Sequence, residues 1–476
     1  MRVVVILLAG MIAGQMAGAE VKVWPAPAGE SLSKDYVVSV DGVSCPVYAA
    51  KVASAEPAKR WAAMDDRKNS ADYFGLASFA TFDMTGRARV TVTCPAAVTA
   101  VRVLPSSLGI KATVRGNTIS FTLAKPTAVT VEVNGTWVGA LHLFANPPEI
   151  DVPKPDDPNV IYYGPGIHEV SHVVVGDGKT VYIAGGAVVR AVIRPDEKYE
   201  ISSFSGLRNY SPTFELRGRN ITFRGRGILD CEACTTHSRH PIWVQGSDIR
   251  IEGVIIRDSP IWTIPIRQSD RVTVSNVKLI GRRANSDGID ICNSRDVTVE
   301  GCFIRTLDDL IVVKSDKGQG PVKRVVARNC VLWNEVAHAL SVGAELREDV
   351  DGVRFESCDV IHDMGREWSL RVYHSDAATV TNVRFENIRL EESPRFISVW
   401  IGKAVWSRDE ERGHIRNVLF RNIDLAKGHP PIELAGYDDA HAVEGVTFDN
   451  VRMEGRPLRA SDVKSNAFVR DLVVRP

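Results

Sequence analysis

Carboxylates are crowded into two short stretches in the middle of this 476-residue chain. The first stretch reads Asn285-Ser286-Asp287-Gly288-Ile289-Asp290, and the second contains Asp308 and Asp309. Hydrolysis of a glycosidic bond needs a protonated carboxyl beside the leaving oxygen and a carboxylate that activates water or attacks the sugar. Three such groups held close together do not all ionise cheaply, so one stays protonated near neutral pH. These residue types predict an acid–base centre made of Asp287, Asp308 and Asp309.

Each motif taken alone also has a purely structural interpretation. Asp287-Gly288 fits a tight turn in which the aspartate bonds its own backbone, and Asp308-Asp309 fits a solvated turn. Asp308 follows Asp287 by 21 positions (308 − 287), however, which is about one repeat of the pattern described next. Because residues one repeat apart stack in a repetitive β-structure, we expect the acids to face one another along one surface.

The repeat is a six-residue phrase of alternating apolar and polar residues. It occurs nine times, at 220–225, 248–253, 271–276, 296–301, 324–329, 352–357, 382–387, 417–422 and 445–450. Alternation is strand periodicity, which excludes a helical solenoid. Successive phrases are separated by steps of 23 to 35 residues, which indicates constant strands joined by loops of different length. The pattern predicts an all-β fold, a right-handed parallel β-helix whose rungs are about 4.8 Å apart.

Equivalent positions of the phrase should stack inside this coil. Cys302, Cys330 and Cys358 follow one another at intervals of 28 residues (330 − 302 and 358 − 330). The predicted interior ladder also contains Val254, Val277, Ile388, Ile423 and Val451. We interpret the cysteines as small core residues, because disulfides between rungs would distort the ladder. The asparagines that end five phrases tolerate left-handed backbone and are predicted to be structural.

Composition and charge restrict the function further. The chain has 58 Lys and Arg against 58 Asp and Glu, so no net charge draws it to nucleic acid or to an anionic membrane. A basic start, an apolar run and an Ala-x-Ala site predict a cleaved signal peptide at 1–19 and a secreted protein, extracellular or periplasmic. A membrane anchor needs about 20 apolar residues, and Gly14-Gln15 interrupts the run. The sequence leaves the oligomeric state open.

The residues before the repeat show a different sequence pattern. Between Val21 and Pro148, short alternating runs are separated by Gly, Pro and Asn, and Asn134-Gly135 is a hairpin signal. These features are typical of an antiparallel β-sandwich, and the prolines from 147 to 158 indicate an extended linker. We therefore predict a small β-sandwich domain at 20–148 and a β-helix domain at 149–476, whose last residues, 462–476, cap the final rung.

Export permits disulfides among the eight cysteines. Cys45 and Cys94 are the pair we expect to form one. Cys231 and Cys234 make a single C-x-x-C pair, and a zinc site needs two further ligands at suitable spacing. We predict no bound metal and no cofactor.

Four motifs, in order along the chain, resemble those of the polygalacturonase family, glycoside hydrolase family 28. They are Asn285-Ser286-Asp287, Asp308-Asp309, Ala337-His338-Ala339 and Arg371-Val372-Tyr373, where the family has Asn-Thr-Asp, Asp-Asp, Gly-His-Gly and Arg-Ile-Lys. The resemblance covers about residues 150–455. The segment ahead of it, with Leu141-His142-Leu143-Phe144 near its end, is more similar to the dextranase family, glycoside hydrolase family 49, which shares the β-helix and the three aspartates.

The resemblance implies an inverting mechanism with a role for each motif residue. Asp308 would donate the proton to the leaving oxygen, while Asp287 and Asp309 would hold and deprotonate the water. His338 would orient the centre, and Arg371 would contact the substrate. For a cation such as Arg371, the alternative is a surface charge on a solvated face.

Further candidates for substrate contact lie near the same rungs: Asn285, Lys314, Tyr373 and Trp333. Tyr373 replaces the lysine that, in the pectin enzymes, helps to bind the galacturonate carboxylate. The loss of that lysine weakens the case for an acidic sugar, but Arg371 alone could still pair with a carboxylate, so the sequence leaves an acidic or a neutral glycan open. Trp262, Trp333 and Trp368 border the acids, and aromatic rings stack on sugars as readily as they fill a core. We favour Trp333 because it follows a strand into a loop.

The predicted function is hydrolysis of a glycosidic bond in a polysaccharide or an oligosaccharide. Two alternatives remain. A β-helix polysaccharide lyase would need calcium and a basic residue, and the sequence shows no acidic cage of the calcium type. A non-catalytic β-helix would bind glycans without turnover, but the presence of all four motifs in order favours an enzyme.

Overall fold

The structure is a computed structural model that describes residues 20–56 and 74–476. Strands make up most of its regular structure, and its two 3-10 helices are Ser106–Leu108 and Ala460–Asp462. The signal peptide predicted at 1–19 lies outside the described residues. Within the described ranges, no helix is long and apolar enough to cross a membrane.

The N-terminal strands form two sheets that pack face to face. The six-stranded sheet comprises Val21–Lys22, Tyr48–Ala53, Phe74–Met84, Val101–Leu104, Ala128–Val133 and Thr136–Asn146. The five-stranded sheet comprises Val37–Val40, Val43–Cys45, Ala88–Thr93, Thr113–Arg115 and Thr118–Leu123. Val90 and Phe121 of the second sheet share one buried core with Phe82 and Leu143 of the first. This is the predicted β-sandwich, but it is not wholly antiparallel, because Thr136–Asn146 pairs in parallel with Phe74–Met84.

From Val160 onward the described chain winds into one sheet of 31 strands, with three faces. The repeat face holds Val160–Tyr163, Thr180–Ile183, Phe214–Gly225, Ile242–Glu252, Asp270–Ser275, Arg295–Glu300, Val322–Arg328, Val350–Glu356, Thr379–Leu390, His414–Leu425, Val443–Met453 and Val473–Arg475. The docking face holds Gly166–Val170, Ala187–Ala191, Ile228–Asp230, Ile255–Arg257, Lys278–Ile280, Phe303–Thr306, Val331–Asn334 and Asp359–Asp363. The cleft face holds Val173–Val175, Ile264–Arg267, Ile289–Cys292, Ile311–Ser315, Leu340–Leu346, Leu370–His374, Ile397–Ile401, Ile432–Ala435 and Val463–Ser465. Short strands also occur at Arg456–Pro457 and Val469–Arg470, and Tyr199–Ile201 pairs with Arg208–Tyr210 as a separate hairpin.

The repeat predicted from sequence builds the repeat face. All nine phrases fall on its strands, and equivalent residues pair in parallel from rung to rung: Val272, Val297, Val325, Val353, Val383, Val418 and Val446 form one continuous column. The parallel β-helix is confirmed. Its interior ladder is confirmed as well, since Cys302, Cys330 and Cys358 are buried within the same core as the predicted valines and isoleucines.

Left-handed backbone occurs at both ends of the phrase. The structure places it at the asparagines predicted for this role, such as Asn387 with φ of 56°. It also places it at the first residue of every phrase, including Arg271 (φ 56°) and Arg324 (φ 54°). Seven of the nine first residues are Asn, Asp or Gly, which favour this conformation, although our prediction did not use that signal. At the two arginines the turn between faces of the coil imposes it.

The predicted disulfide between Cys45 and Cys94 is wrong, since both residues are buried free thiols. The strand order explains this, because Val38 pairs with Cys45 on one side and with Val92 on the other. Two strands on either side of a third are about 10 Å apart. That separation exceeds the Cα distance of about 7 Å that a disulfide can bridge.

The sandwich packs against the docking face of the coil. Phe79 and Phe144 of the six-stranded sheet are buried together with Phe303 and Trp333 of the coil. The last sandwich strand ends at Asn146 and the first strand of the coil begins at Val160; the division of the chain at residue 148 stays a prediction. This packing leaves the cleft face uncovered by the sandwich sheets.

Candidate active site

The acidic motifs lie in the turns that lead into successive strands of the cleft face. Asp287 precedes the strand Ile289–Cys292, and Asp309 precedes Ile311–Ser315 one rung further on. The amide of Gly288 donates to the carbonyl oxygen of Asp309 at 2.8 Å, and the next turn follows with Leu310 N donating to His338 O at 2.9 Å. The coil therefore stacks three sequence motifs into one column.

The three aspartates come together as predicted. Carboxylate oxygens of Asp287, Asp308 and Asp309 all lie within 4.8 Å of one another. Asp287 and Asp309 are buried and Asp308 is half-buried. Gly288 permits this approach, because a Cβ there would lie 2.3 Å from the carbonyl oxygen of Leu310. Among the described residues, neither Asp287 Oδ1 nor Asp309 Oδ1 accepts a hydrogen bond, and both oxygens are buried.

Lys314 lies beneath the acids and not on a solvated surface. Its Nζ is 3.0 Å from Asp287 Oδ2, 2.9 Å from Asp290 Oδ1 and 3.9 Å from Asp309 Oδ2. The ring of Trp262 covers the ammonium group at 4.0 Å. Although burial opposes the charged form, Asp287 and Asp290 raise the pKa of Lys314 well above its usual range. Lys314 was predicted to bind substrate, and its contacts instead make it the counter-ion of the centre.

Burial is the main influence on the acids. Burial and the neighbouring charge of Asp290 raise the pKa of Asp287 well above its usual range, against the effect of Lys314. Burial raises the pKa of Asp309 to about 7, although Arg371 and Lys314 oppose the shift. Burial also raises the pKa of Asp308. Carboxyls that hold or exchange a proton near neutral pH are suited to acid–base catalysis.

The same three carboxylates are close enough to ligate a metal ion. The ammonium of Lys314, however, already lies at hydrogen-bonding distance from Asp287. A divalent cation bound beside it would meet like charge at short range. The donor set therefore fits a site compensated by lysine better than one compensated by a metal.

His338 stands beside the acids as a neutral acceptor. Its Nδ1 donates to the carbonyl oxygen of Trp368 at 2.8 Å, which leaves Nε2 unprotonated at 3.8 Å from Asp309 Oδ1. Burial, followed by the charge of Arg371, lowers the pKa of His338 well below its usual value. The imidazole can accept a hydrogen bond from a group held at Asp309, but it does not serve as a cation.

Arg371 lies one strand beyond His338 and is buried, with 6% of its surface exposed. Its Nε donates to Ser341 Oγ at 2.8 Å, and its charge acts on both Asp308 and Asp309. Tyr373 follows on the same strand, with its ring centroid 4.9 Å from the guanidinium carbon of Arg371. Arg371 therefore borders the acids, and Tyr373 contacts Arg371.

Asn285 lies at the opposite edge of the centre. Its backbone is left-handed, with φ of 54°, and its Oδ1 accepts a hydrogen bond from His237 Nε2 at 2.9 Å. The side chain is half-buried. The contact with His237 fixes the orientation of the Asn285 amide group. The spacing of the motifs in the sequence did not indicate this contact.

Trp333 does not lie in the cleft, which corrects our preferred candidate for sugar stacking. Its side chain is fully buried on the docking face, where the guanidinium carbon of Arg305 lies 3.7 Å from its ring centroid and His362 lies 4.2 Å away. Strand alternation turns Trp333 out of the coil, but the sandwich covers that side. A buried ring cannot reach a glycan.

Sequence reasoning gave no role to two residues that the structure brings to the cleft, Asp290 and Trp400. Asp290 shares Lys314 with Asp287. Trp262, one of the three tryptophans considered for sugar stacking, covers the same lysine. Trp400 stacks on Tyr373 from the next strand. The strand pattern could have indicated both residues. Asp290 lies between two apolar residues of the first acidic motif, so its side chain points out of the coil, and Trp400 pairs with Tyr373 on the next strand.

Several curated proteins are similar to part of this chain. An exopolygalacturonase from Arabidopsis thaliana is 26% identical over 187 residues, which are 37% of this chain and 41% of that protein. An endo-polygalacturonase from Pectobacterium carotovorum is 26% identical over 150 residues, 30% of this chain and 35% of that protein. The chain thus spans about two fifths or less of the length of these relatives.

Solved structures share the fold over a longer range. Dex49A from Penicillium minioluteum superposes with a TM-score of 0.62 at 13% identity and covers 92% of both chains. The polygalacturonase from Erwinia carotovora superposes with a TM-score of 0.53 at 16% identity, covering 63% of this chain and 86% of that one. At these identities the similarity supports the β-helix fold, and for Dex49A it extends over the N-terminal sandwich.

A family model described as glycosyl hydrolases family 28 matches residues 229–467. The match takes in 239 positions (467 − 229 + 1) of the 476 in the chain. It includes all three aspartates, His338 and Arg371. The chain therefore belongs to glycosyl hydrolases family 28.

Proposed function

We propose that this protein is a secreted glycoside hydrolase that cleaves an O-glycosyl bond in a polysaccharide or an oligosaccharide with inversion of configuration. The observation that carries the proposal is the cluster of Asp287, Asp308 and Asp309 within 4.8 Å. In the proposed mechanism Asp308, the most exposed of the three, donates a proton to the leaving oxygen. Asp287 and Asp309 hold the attacking water with their unpartnered oxygens and accept its proton.

The supporting residues have proposed roles that follow from their contacts. The ammonium of Lys314, 3.0 Å from Asp287, opposes the effect of burial on that carboxyl and so favours its ionised form. Neutral His338 accepts a hydrogen bond from the water or a sugar hydroxyl beside Asp309. Arg371 and Asn285 border the acids from opposite sides and contact the sugar.

Inversion is the part of the proposal that most needs a test. Two-carboxylate enzymes that invert separate their groups by about 6.5 to 9.5 Å, whereas retaining enzymes separate them by about 5 Å. The short oxygen distances here would by that rule favour retention. A third carboxylate changes the geometry, because Asp287 and Asp309 can hold one water jointly while Asp308 acts as the acid.

The test is to incubate the wild-type protein with a glycan panel and follow the first anomer released by NMR. Asp308→Asn should lower kcat by about 100-fold to 10,000-fold, the usual contribution of general acid–base catalysis. Asp296→Asn is the matched control, since Asp296 pairs with Arg324 on the repeat face at 2.6 Å. Release of the retained anomer would refute inversion, and equal activity of wild type and Asp308→Asn would refute the assignment of the acid.

The same assay separates the two alternative functions. A calcium-dependent lyase would lose activity in EDTA and form an unsaturated product that absorbs in the ultraviolet. A glycan-binding protein without activity would release no sugar in any condition. For secretion, mass spectrometry of the exported protein should find Glu20 as the first residue.

A further inference from the structure

Two aromatic rings stack on the cleft face beyond the acids. Tyr373 and Trp400 are paired residues on adjacent strands, and their ring centroids are 4.3 Å apart with planes at 9°. Both side chains are half-buried, so part of each ring meets solvent. Paired rings exposed along a cleft offer apolar area that the C–H face of a sugar ring can cover.

The pair continues a column that starts at the catalytic centre. Val313, Val342, Val372 and Val399 pair in register along the cleft-face strands. Lys314, Tyr373 and Trp400 each follow one of these valines, on the first, third and fourth rungs of the column, with a register shift after Val313. At about 4.8 Å per rung, Tyr373 is about 10 Å from Lys314. A glycan bound at the acids and running along the coil axis would reach the aromatic pair with a neighbouring sugar unit.

Arg371 is held in place between the rings and the acids. Its Nε donates to Ser341 Oγ at 2.8 Å and its Nη2 donates to Gly343 O at 3.4 Å. The ring of Tyr373 lies against the guanidinium group at 4.9 Å. These contacts hold the guanidinium beside Asp308 and Asp309, where it offsets their charge.

The charge around the cleft disfavours an anionic sugar. Five carboxylates act on one another here: Asp287, Asp290, Asp308, Asp309 and Glu345. In the described part of the site, the cations that offset them are Lys314 and Arg371. Lys314 is already paired with two aspartates. Arg371 is engaged by Ser341 Oγ and Gly343 O, so a substrate carboxylate would have to compete with these partners and with the two aspartates for either cation.

We infer that Tyr373 and Trp400 form a stacking subsite for an uncharged sugar unit, and that the substrate is a neutral glycan. The inference rests on the proposed function, since it names the substrate class of the same cleft. Gly402 completes the subsite, because a Cβ there would lie 2.1 Å from the indole of Trp400. A side chain at position 402 would push the ring out of the stack.

Binding without turnover tests the subsite directly. We would measure the retardation of Asp308→Asn protein in native gels that contain dextran, β-1,4-galactan, arabinan or polygalacturonate. The uncharged polysaccharides should include at least one that retards the protein, while polygalacturonate does not. Adding Trp400→Ala should weaken that retardation about tenfold, the scale of a lost aromatic contact. Trp400→Phe, which keeps a ring, is the matched control and should bind nearly as the parent does.

Two further variants sharpen the result without removing the indole. Gly402→Ala should weaken binding to the uncharged polysaccharide by displacing the ring. Tyr373→Lys should also weaken binding to the uncharged polysaccharide. It should create retardation by polygalacturonate, because it places an additional ammonium group in the cleft. Retardation of the parent by polygalacturonate alone, by none of the uncharged gels, or equally with and without Trp400 would overturn the inference. Failure of the wild type to release any sugar would defeat the hydrolase proposal, while these gels would still decide the subsite.

Discussion

Two clusters of buried charged side chains lie on different faces of the same coil, and they differ in how well their acidic and basic groups are matched. The interface cluster, where the sandwich meets the docking face, pairs Arg305 with Glu335 at 2.9 Å, and both side chains are fully buried. In the same cluster His362 lies between Glu132 and Glu392. The cleft cluster instead places four aspartates around one buried lysine.

This difference separates a structural role from a chemical one. Matched buried charges hold surfaces together, and the removal of one partner leaves the other without compensation. Unmatched carboxylates shift their own pKa values, as Asp287 and Asp309 do. Perturbed titration in a cleft is the mark of a catalytic site. The charges at the interface should therefore raise the free energy of unfolding. The carboxylates of the cleft should lower it, because they are arranged for reactivity.

The largest effect is expected from the lysine that partly balances the cleft. Lys314→Met removes the ammonium group, so Asp287 and Asp290 take up protons and can no longer activate water. We expect kcat to fall by at least about 100-fold, measured on whichever glycan the wild type cleaves. Lys317→Met, at an exposed position on the same loop, is the control. A loss of less than threefold in Lys314→Met would show that the lysine is only structural.

For the interface cluster we expect a loss of stability with activity retained. Glu335→Gln removes the carboxylate from a fully buried ion pair with Arg305 and should lower the free energy of unfolding by about 3 to 5 kcal/mol. The folded variant should keep its activity. Denaturant unfolding measures the loss. Glu300→Gln, which breaks an exposed pair with Arg328, should change stability by about 1 kcal/mol or less. Equal effects of the two variants would contradict the role given to the interface.

The cleft makes an opposite prediction about stability. The folded-state pKa of Asp309, about 7, exceeds its unfolded value of about 3.9. The stability that this carboxyl contributes is complete below pH 4 and is lost as the pH rises through 7. Asp309→Asn should therefore be more stable than wild type at pH 8, by at most about 4 kcal/mol at 1.36 kcal/mol per pKa unit, with little advantage at pH 4. Thermal unfolding at both pH values measures this, and a less stable variant at pH 8 would refute it.

The sequence was sufficient for the features that depend on rung spacing. The nine phrases predicted the coil, and the 21 residues between Asp287 and Asp308 predicted that the two acids would meet. These predictions succeed because a β-helix converts distance along the chain into stacking in space. The catalytic roles of the acids, in contrast, stay predictions until a variant is assayed.

The features that the sequence did not predict depend on what covers each face. Trp333 was expected to follow its strand into a loop, but it lies within the strand Val331–Asn334, and nothing in its neighbours shows that the sandwich covers the docking face. The burial of Lys314 beneath the acids follows from the turns that precede its strand. Trp400 was missed because its significance comes from its register with Tyr373, which is set by loop lengths between rungs.

The smallest predicted effect is the pH dependence of the free energy of unfolding that His362 gives to the interface cluster. Burial alone would lower the pKa of His362, but its contacts with Glu132 and Glu392 outweigh burial and raise it. The stability from this histidine is therefore complete below its unfolded pKa of about 6.5 and is lost as the pH rises through the higher folded value. His362→Gln should lower the free energy of unfolding by about 2 kcal/mol at pH 6, the range for hydrogen bonds to charged groups, and by less at pH 9. Because His362 faces the sandwich, the pH profile of catalysis should not move. A changed profile with unchanged stability would mean that the interface cluster is coupled to the cleft.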